Sequence, residues 1–593
     1  PTTYQVVSTV AVQGNVSRHS KISCTTDTIM LLVLLILSHQ SLFSTAATRK
    51  PRDRPNFLLH FVDDLGYGDL GITGHPTTQT TNIDYLATKG KRLTTWYSGY
   101  PVCSASRTAL LTGRQPPRVG MPGVINSLGI EGLPLSEETF AARLSSTHKS
   151  FILGKWHQGQ RPEYLPKARG FDAFYGLPYS VDDGIGYYTQ CSNNNNKTAE
   201  MQTKTIDTTG SAAVHLSTRT STFQQQTNIR LGPEIPLPLI RQLPDVYNES
   251  SEFGEILEQP TNLVPLSSNM VAFFKNMTTL WRDVPWLAYV AHPHVHTATP
   301  NINQIGSFEQ YAGCEFAGHS IRGGFGDALS EVDWMVGEMM NHIENLGLSN
   351  NTLVLFLSDN GPWMEKHQGG GSLGPFTAMH ATYRNVGKGS TWEGGIRSPS
   401  FAYWPGQISP FTKTSAVLSS LDVLPTLVSL GQNKSSTAID DSAAVVLDGQ
   451  DFSSVLFSSS FIMEKWRRDV LFPFWNGPDF SKPGTEIYAG RYNQYKIHWI
   501  TSMGLTAGSH QLNSTVRHDP PLVFDIEMDP GEAFPVLLDP LTMKKIQAQR
   551  KMKTFVPNAI DPTFGMEWAL CCDRATNCTC KTPRVIVPST IGR

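Results

Sequence analysis

At 593 residues with a formal net charge of −2, the chain is too long for one small core and carries no basic excess that would suit nucleic acid. Its 39% hydrophobic content is that of a folded chain, and 49 Gly and 39 Pro imply many ordered turns. A large domain with a smaller companion is the expected organisation.

The first feature in chain order is an apolar run, Ile29–Leu37, too short to span a bilayer and followed by Ser44-Thr45-Ala46-Ala47. It reads as a secretory signal with its cleavage site rather than a buried helix. Residues 1–47 are therefore expected to be leader, with Met30 a candidate start and no membrane span in the mature chain. Asn-x-Ser/Thr sequons at Asn196, Asn248, Asn276, Asn350, Asn433, Asn513 and Asn577 agree with a secretory route, lysosomal or extracellular. Of eight cysteines, Cys24 precedes the signal and Cys103 has a separate reading given below. Cys191, Cys314, Cys571, Cys572, Cys578 and Cys580 read as disulfide partners; zinc is the weaker alternative for the closely spaced tail.

Next come short apolar runs that read as buried parallel strands, each ending in polar residues. Phe57–Val62 ends in Asp63-Asp64, and Ser150–Leu153 leads through Gly154 to Lys155-Trp156-His157. Trp286–Ala291 leads to His292-Pro293-His294-Val295-His296, and Leu353–Leu357 to Ser358-Asp359-Asn360-Gly361. Between the last two, Leu329, Val332, Val336, Met339, Ile343 and Leu346 recur at helical spacing, with Gly347 as a stop. Strands alternating with helices predict an α/β domain over residues 52–440 with a mixed, mostly parallel sheet. Residues 190–250, rich in Thr, Gln and Asn, read as a solvated insert. Residues 441–593 change texture: strand-like pieces at Glu486–Ala489, Tyr495–Ile500 and Pro520–Ile526 predict a smaller antiparallel domain with a cysteine-rich tail.

In a parallel sheet, ligands bind at the carboxyl ends of the strands, and here four such ends carry acids, a lysine and histidines. Asp63-Asp64 and Asp359-Asn360 offer hard oxygen ligands suited to Ca²⁺ or Mg²⁺, although an isolated acidic pair is usually a solvated turn. His292, His294 and His296 could equally suit zinc, but no neighbouring Cys or His cluster supports it. Cys103-Ser104-Ala105-Ser106-Arg107 begins an apolar helical run, which puts Cys103 near a helix N-terminus, where an anion is favoured. Arg107, one turn on, reinforces that site.

The segment from Cys103 to Arg107, closed by Thr112-Gly113-Arg114, resembles the sulfatase signature Cys-x-Pro/Ala-x-Arg. Asp63–Gly71, Ser358–Pro362, Trp392–Arg397 and Pro520–Asp525 carry the resemblance through most of the chain, towards the subgroup containing arylsulfatase A and N-acetylgalactosamine-6-sulfatase. It implies an alkaline-phosphatase-like α/β domain, with Cys103 oxidised to Cα-formylglycine by the formylglycine-generating enzyme. It also implies Ca²⁺ rather than Mg²⁺, held by Asp63, Asp64, Asp359 and Asn360 with residue 103 completing the shell. By the same resemblance Lys155 and Lys388 grip the sulfate, Ser180 hydrogen-bonds in the site, His157 contacts the formylglycine hydroxyl, and His296 is the leaving-group acid.

The implied substrate is a sulfated small molecule, glycolipid or glycan; homo-oligomerisation is left open. The same fold also accommodates a phosphatase or phosphodiesterase, against which Cys103 with Arg107 stands, and a non-catalytic sulfated-glycan-binding or matrix protein. Departures from the family pattern are Ala105 where most members have Pro, Gln158, and His60 within an apolar strand. Val386 also stands where relatives have a cysteine bonded to the smaller domain, which suggests a looser junction.

Overall fold

The four apolar runs are neighbours in the sheet, so their polar ends meet. The computed structural model describes residues 54–555, apart from 126, 128, 185–236, 246–253, 259–260, 299–310, 382–384, 433–445, 459–465, 467–468, 478–484 and 506–514. The leader, the cysteine tail and the expected boundary at 440 lie outside the described residues. The strands in chain order are β1 (Asn56–Val62), β2 (Lys91–Leu93), β3 (Trp96–Tyr97), β4 (Lys149–Lys155), β5 (Ala173–Leu177), β6 (Leu239–Gln242) and β7 (Glu255–Glu258). There follow β8 (Trp286–His292), β9 (Thr352–Ser358), β10 (Phe401–Tyr403), β11 (Thr412–Thr414) and β12 (Leu418–Ser419). All but β3 and β12, which pair with each other, form a ten-stranded sheet in the order β11-β2-β10-β9-β1-β8-β4-β5-β6-β7. Its centre, from β9 to β5, is parallel, and the flanking pairs β9–β10, β10–β2, β5–β6 and β6–β7 are antiparallel.

Strand β1 is buried along its whole length, as expected of a strand covered on both faces. Its alternate residues divide between the layers: Phe57, Leu59 and Phe61 join one cluster, and Leu58 the other. The first face is covered by α2 (Cys103–Thr112, following α1, Thr81–Lys89), through Leu110 and Leu111. The opposite face receives α3 (Leu266–Leu280) and the long helix α4 (Gly324–Asn345), whose Met335, Met339 and Ile343 are the residues of the predicted stripe and its neighbours. Leu346 caps α4, and Gly347 takes φ +69° just beyond it, a conformation that suits glycine at a helix end. One expectation fails: the polar stretch 190–250 is not wholly a solvated insert. Leu239–Gln242 within it forms a sheet strand with Leu239 and Ile240 buried. Four residues are too few to show a period against so polar a background.

A separate antiparallel sheet contains β13 (Phe472–Asn476), β14 (Glu486–Tyr492), β15 (Tyr495–Ser502) and β16 (Thr515–Asp525), in that order. Buried charge links it to the segment around Glu393 and to β3. Lys496 on β15 donates to Glu393 at 2.7 Å, and Tyr97 and Arg397 reach the same carboxylate at 3.0 Å. His498, two residues along, lies 2.7 Å from Glu532, whose other oxygen accepts from the Glu393 backbone N–H. Val386 packs with Trp392, Phe524 and Ile526, so this junction is joined by apolar contact as well.

Removing one partner of a buried ion pair strands the other charge. Lys496→Met should therefore destabilise the protein by about 3–5 kcal/mol in denaturant titration, and adding Glu393→Gln should recover part of the loss.

Candidate active site

Cys103 is the first residue of α2, with Val102 as the helix cap in extended conformation. Every residue of that helix is buried, and Cys103 is a free thiol. Cys314, by contrast, is disulfide-bonded. Gln158 fixes the first turn of α2: its Nε2 donates to Ser104 O at 2.7 Å and to His157 O at 2.9 Å, and its Oε1 accepts from Thr108 at 2.7 Å. This residue ties α2 to the end of β4.

The acidic pairs follow β1 and β9, which are adjacent and in register from Asn56↔Thr352 to Val62↔Ser358. Register therefore brings Asp63-Asp64 beside Asp359-Asn360. The Asp64 N–H donates to Asp359 Oδ1 at 3.1 Å, and Asn360 Nδ2 donates to Asp64 Oδ1 at 2.7 Å. Asp64 and His157 both occupy left-handed backbone, at φ +59° and +58°. Such strain in non-glycine residues collects at functional sites.

Three cations face these acids. Arg107, fully buried, donates to Asp359 Oδ2 at 2.9 Å and to Lys155 O at 3.1 Å, and lies 3.5 Å from Asp63. Lys155 meets Asp63 Oδ2 at 2.6 Å and Ser180 Oγ at 2.9 Å. Lys388 meets Asp64 Oδ1 at 2.6 Å. Burial opposes ionisation of Asp63, yet Lys155, Arg107, His296 and Lys388 together hold its carboxyl well below the usual range. Burial pushes the Cys103 thiol up to about 11 even though Lys155 and Lys388 pull it down.

His157 Nε2 faces Ile125 O at 2.8 Å, which places its proton there and leaves Nδ1 as a buried lone pair with no hydrogen-bond partner. Burial holds this imidazole down at about 4. His296 Nδ1 faces Thr297 O at 2.7 Å, so Nε2, 3.4 Å from Asp64, is the nitrogen available to chemistry. His60 stacks on His292 with nitrogens 3.0 Å apart, and burial lowers it to about 3, which makes it a neutral core histidine.

The residues also fit a hard cation. Asp63 Oδ1 and Asn360 Oδ1 are buried oxygens with no hydrogen-bond partner. Asp63, Asp64 and His296 bring ligand atoms within 4.8 Å of one another. Both Asp359 oxygens already accept hydrogen bonds, from Asp64 and Arg107.

The family model described as sulfatase matches residues 55–432, and that for the C-terminal region of aryl-sulfatase matches 468–580. The chain belongs to the sulfatase family. This sulfatase is 35% identical to arylsulfatase A of Bos taurus over 84% of its length and 87% of the relative's, and 33% identical to that of Homo sapiens over 89% and 96%. The steryl-sulfatase of Rattus norvegicus is 31% identical over 85% and 88%. A crystal structure of the PsFucS1 sulfatase from Pseudoalteromonas superposes with a TM-score of 0.62 at 25% identity, covering 89% of this chain and 94% of that one. The chain is thus a sulfuric ester hydrolase.

Some site neighbours escaped the sequence. Trp363 lies against Lys388 at 4.7 Å, Lys366 at 4.1 Å and the His296 ring at 5.7 Å, joining three residues from separate elements. Asp182 lies 3.9 Å from His296 and Asp183 3.5 Å from His157. The missed signal was a third acidic pair shortly after a strand, here β5.

Gln158→Leu would leave Ser104 O and His157 O without that donor in the dry interior. A loss of about 1–3 kcal/mol is expected in denaturant unfolding.

Proposed function

We propose that sulfate-ester hydrolysis in this chain uses residue 103 as Cα-formylglycine. A divalent cation, Ca²⁺, would be held by Asp63, Asp64, Asp359 and Asn360, with residue 103 completing the shell. The observation that carries the reading is Cys103 itself: a free, buried residue at the start of a helix, within the fields of Lys155, Lys388, Asp63 and Asp359. With its thiol near 11, roughly one molecule in 10⁴ is thiolate at pH 7, so the unmodified side chain is a poor nucleophile. An aldehyde hydrate there supplies one hydroxyl to attack sulfur and a second through which sulfate is expelled. The cation supplies charge neutralisation at the sulfuryl oxygens.

The remaining roles belong to the chain's own side chains. Lys155 and Lys388 bind the sulfate oxygens, with Ser180 orienting Lys155 through their 2.9 Å contact. Arg107 holds Asp63 and Asp359 in place from beneath. His296 gives a proton from Nε2 to the departing oxygen, its ring fixed by Thr297 O. His157 accepts a proton at its bare Nδ1. Trp363 presents an aromatic wall beside His296 and Lys388, which suits a leaving group with an apolar face. A sulfated aryl or steroid, glycolipid or glycan is the proposed substrate class. Passage through the secretory pathway, to the lysosome or the extracellular space, is supported by the signal-like run and by the exposure of Asn276 and Asn350 in their sequons.

Two measurements test this reading. The peptide containing residue 103 should have the mass of an aldehyde, and Cys103→Ala should cut hydrolysis of a chromogenic aryl sulfate by about 10⁴-fold without loss of fold. An unmodified thiol in an active enzyme, or turnover retained by the variant, would overturn it. Chelation should lower both the melting temperature and activity, with Ca²⁺ restoring both in the wild type but not in Asp63→Asn. Unchanged melting and activity after chelation would remove the cation from the mechanism.

A further inference from the structure

Asp183 has no part in the chemistry above, yet its carboxylate lies against His157 Nε2, the nitrogen opposite the bare Nδ1. It sits on the turn after Ser180, where its N–H donates to Ser180 O at 3.1 Å and its carbonyl accepts from Ser127 at 2.7 Å. Both anchors are backbone groups of Asp183, so the loop is held independently of the side chain. The carboxylate approaches His157 Nε2 at 3.5 Å, and both side chains are buried. Ile125 O accepts from the same nitrogen at 2.8 Å. The Ile125 carbonyl keeps the Nε2 proton in place and leaves the lone pair on Nδ1, while the Asp183 carboxylate puts a negative charge beside the same nitrogen.

We propose that Asp183 is a positioning residue for the second half of the reaction, holding His157 in its Nε2–H tautomer and stabilising the imidazolium that forms when Nδ1 takes a proton. This rests on the formylglycine reading. Once residue 103 carries the sulfate, His157 Nδ1 removes the proton of the remaining hydroxyl. The freed O–H electron pair becomes the second C–O bond of the aldehyde. The C–O bond to sulfate breaks with its electron pair staying on the departing sulfate, which leaves as the dianion. The cation on His157 then lies between Asp183 and the site, and its proton passes to water. Attack on sulfur and loss of the alcohol do not use this pair, so Asp183 should matter for sulfate release and not for the first bond cleavage. Because Ile125 O still holds the tautomer when the carboxylate is removed, the expected loss is about 10- to 100-fold, the range for an outer hydrogen-bond partner of a functional histidine.

The test is Asp183→Asn, which keeps the shape and the backbone anchors. Mixed rapidly with a chromogenic aryl sulfate, the variant should release about one equivalent of phenol at the wild-type rate and then turn over about 10- to 100-fold more slowly. Acid-quenched protein should carry one SO₃ on the peptide containing residue 103, an adduct that a general loss of structure would not accumulate. Wild-type steady turnover in the variant, or a slowed first release with no adduct, overturns the proposal. A readout independent of turnover is the ¹⁵N spectrum of histidine-labelled protein made without conversion of Cys103. There Asp183→Asn should lower the apparent pKa of His157, and an unchanged titration again overturns the proposal. If wild-type protein contains no aldehyde and does not turn over, the formylglycine reading fails, while this spectrum still decides whether Asp183 acts on His157.

Discussion

The site depends on a buried balance of charge: Asp63, Asp64 and Asp359 against Lys155, Lys388 and Arg107, all nearly inaccessible to water. Groups of one sign packed this closely in a dry interior would repel and be driven to neutrality; the interleaved cations hold the Asp63 carboxyl well below the usual range, whereas burial and the neighbouring Asp63 push Asp359 up to about 7. Arg107 is the member that cannot be exchanged easily. Its planar fork spans Asp359 and the Lys155 carbonyl while approaching Asp63, and a lysine's single ammonium could not satisfy those directions together. In the proposed reaction two of the cations that balance the acids, Lys155 and Lys388, also bind the sulfate group.

Parallel pairing delivers this cluster. Strands β9, β1, β8 and β4 are adjacent, so residues immediately after Ser358, Val62, His292 and Lys155 emerge at one edge. Helix α2 then sets Cys103 against that edge, with Gln158 clamping its first turn. Lys388 comes from another direction, on a loop held by the smaller sheet: Asn476 and Ser502 donate to Gly389 O at 3.0 and 3.3 Å, and Leu505 N–H to Lys388 O at 3.1 Å. The antiparallel domain is therefore part of the site's support. The buried Glu393–Lys496 and His498–Glu532 pairs hold it in place.

Much of this was legible before any coordinates. Continuous apolar runs at Phe57–Val62, Trp286–Ala291 and Leu353–Leu357 are strands because residues buried on both faces lose the alternation that marks half-exposed ones. Polar residues directly after them stand out because such residues are rare at a buried edge without a purpose. Leu239–Gln242 was not legible, since a strand at the sheet margin needs only a few apolar contacts and sits in polar sequence. Asp182 and Asp183 repeat the pattern of Asp63-Asp64, but an acidic pair on a turn is usually solvated, so the sequence does not mark them as part of the site.

The amino-acid sequence by itself determined the main element types, the polar residues at the strand ends, and Cys103 at the head of α2, because these follow from local periodicity, turn residues and a short spaced motif. Only the tertiary structure decided which histidine nitrogen is bare, which carboxylate faces which cation, and that Gln158 meets Ser104, Trp363 meets Lys388 and His296, and Asp183 meets His157. Those facts depend on distances between residues tens to hundreds of positions apart, and no local pattern encodes them.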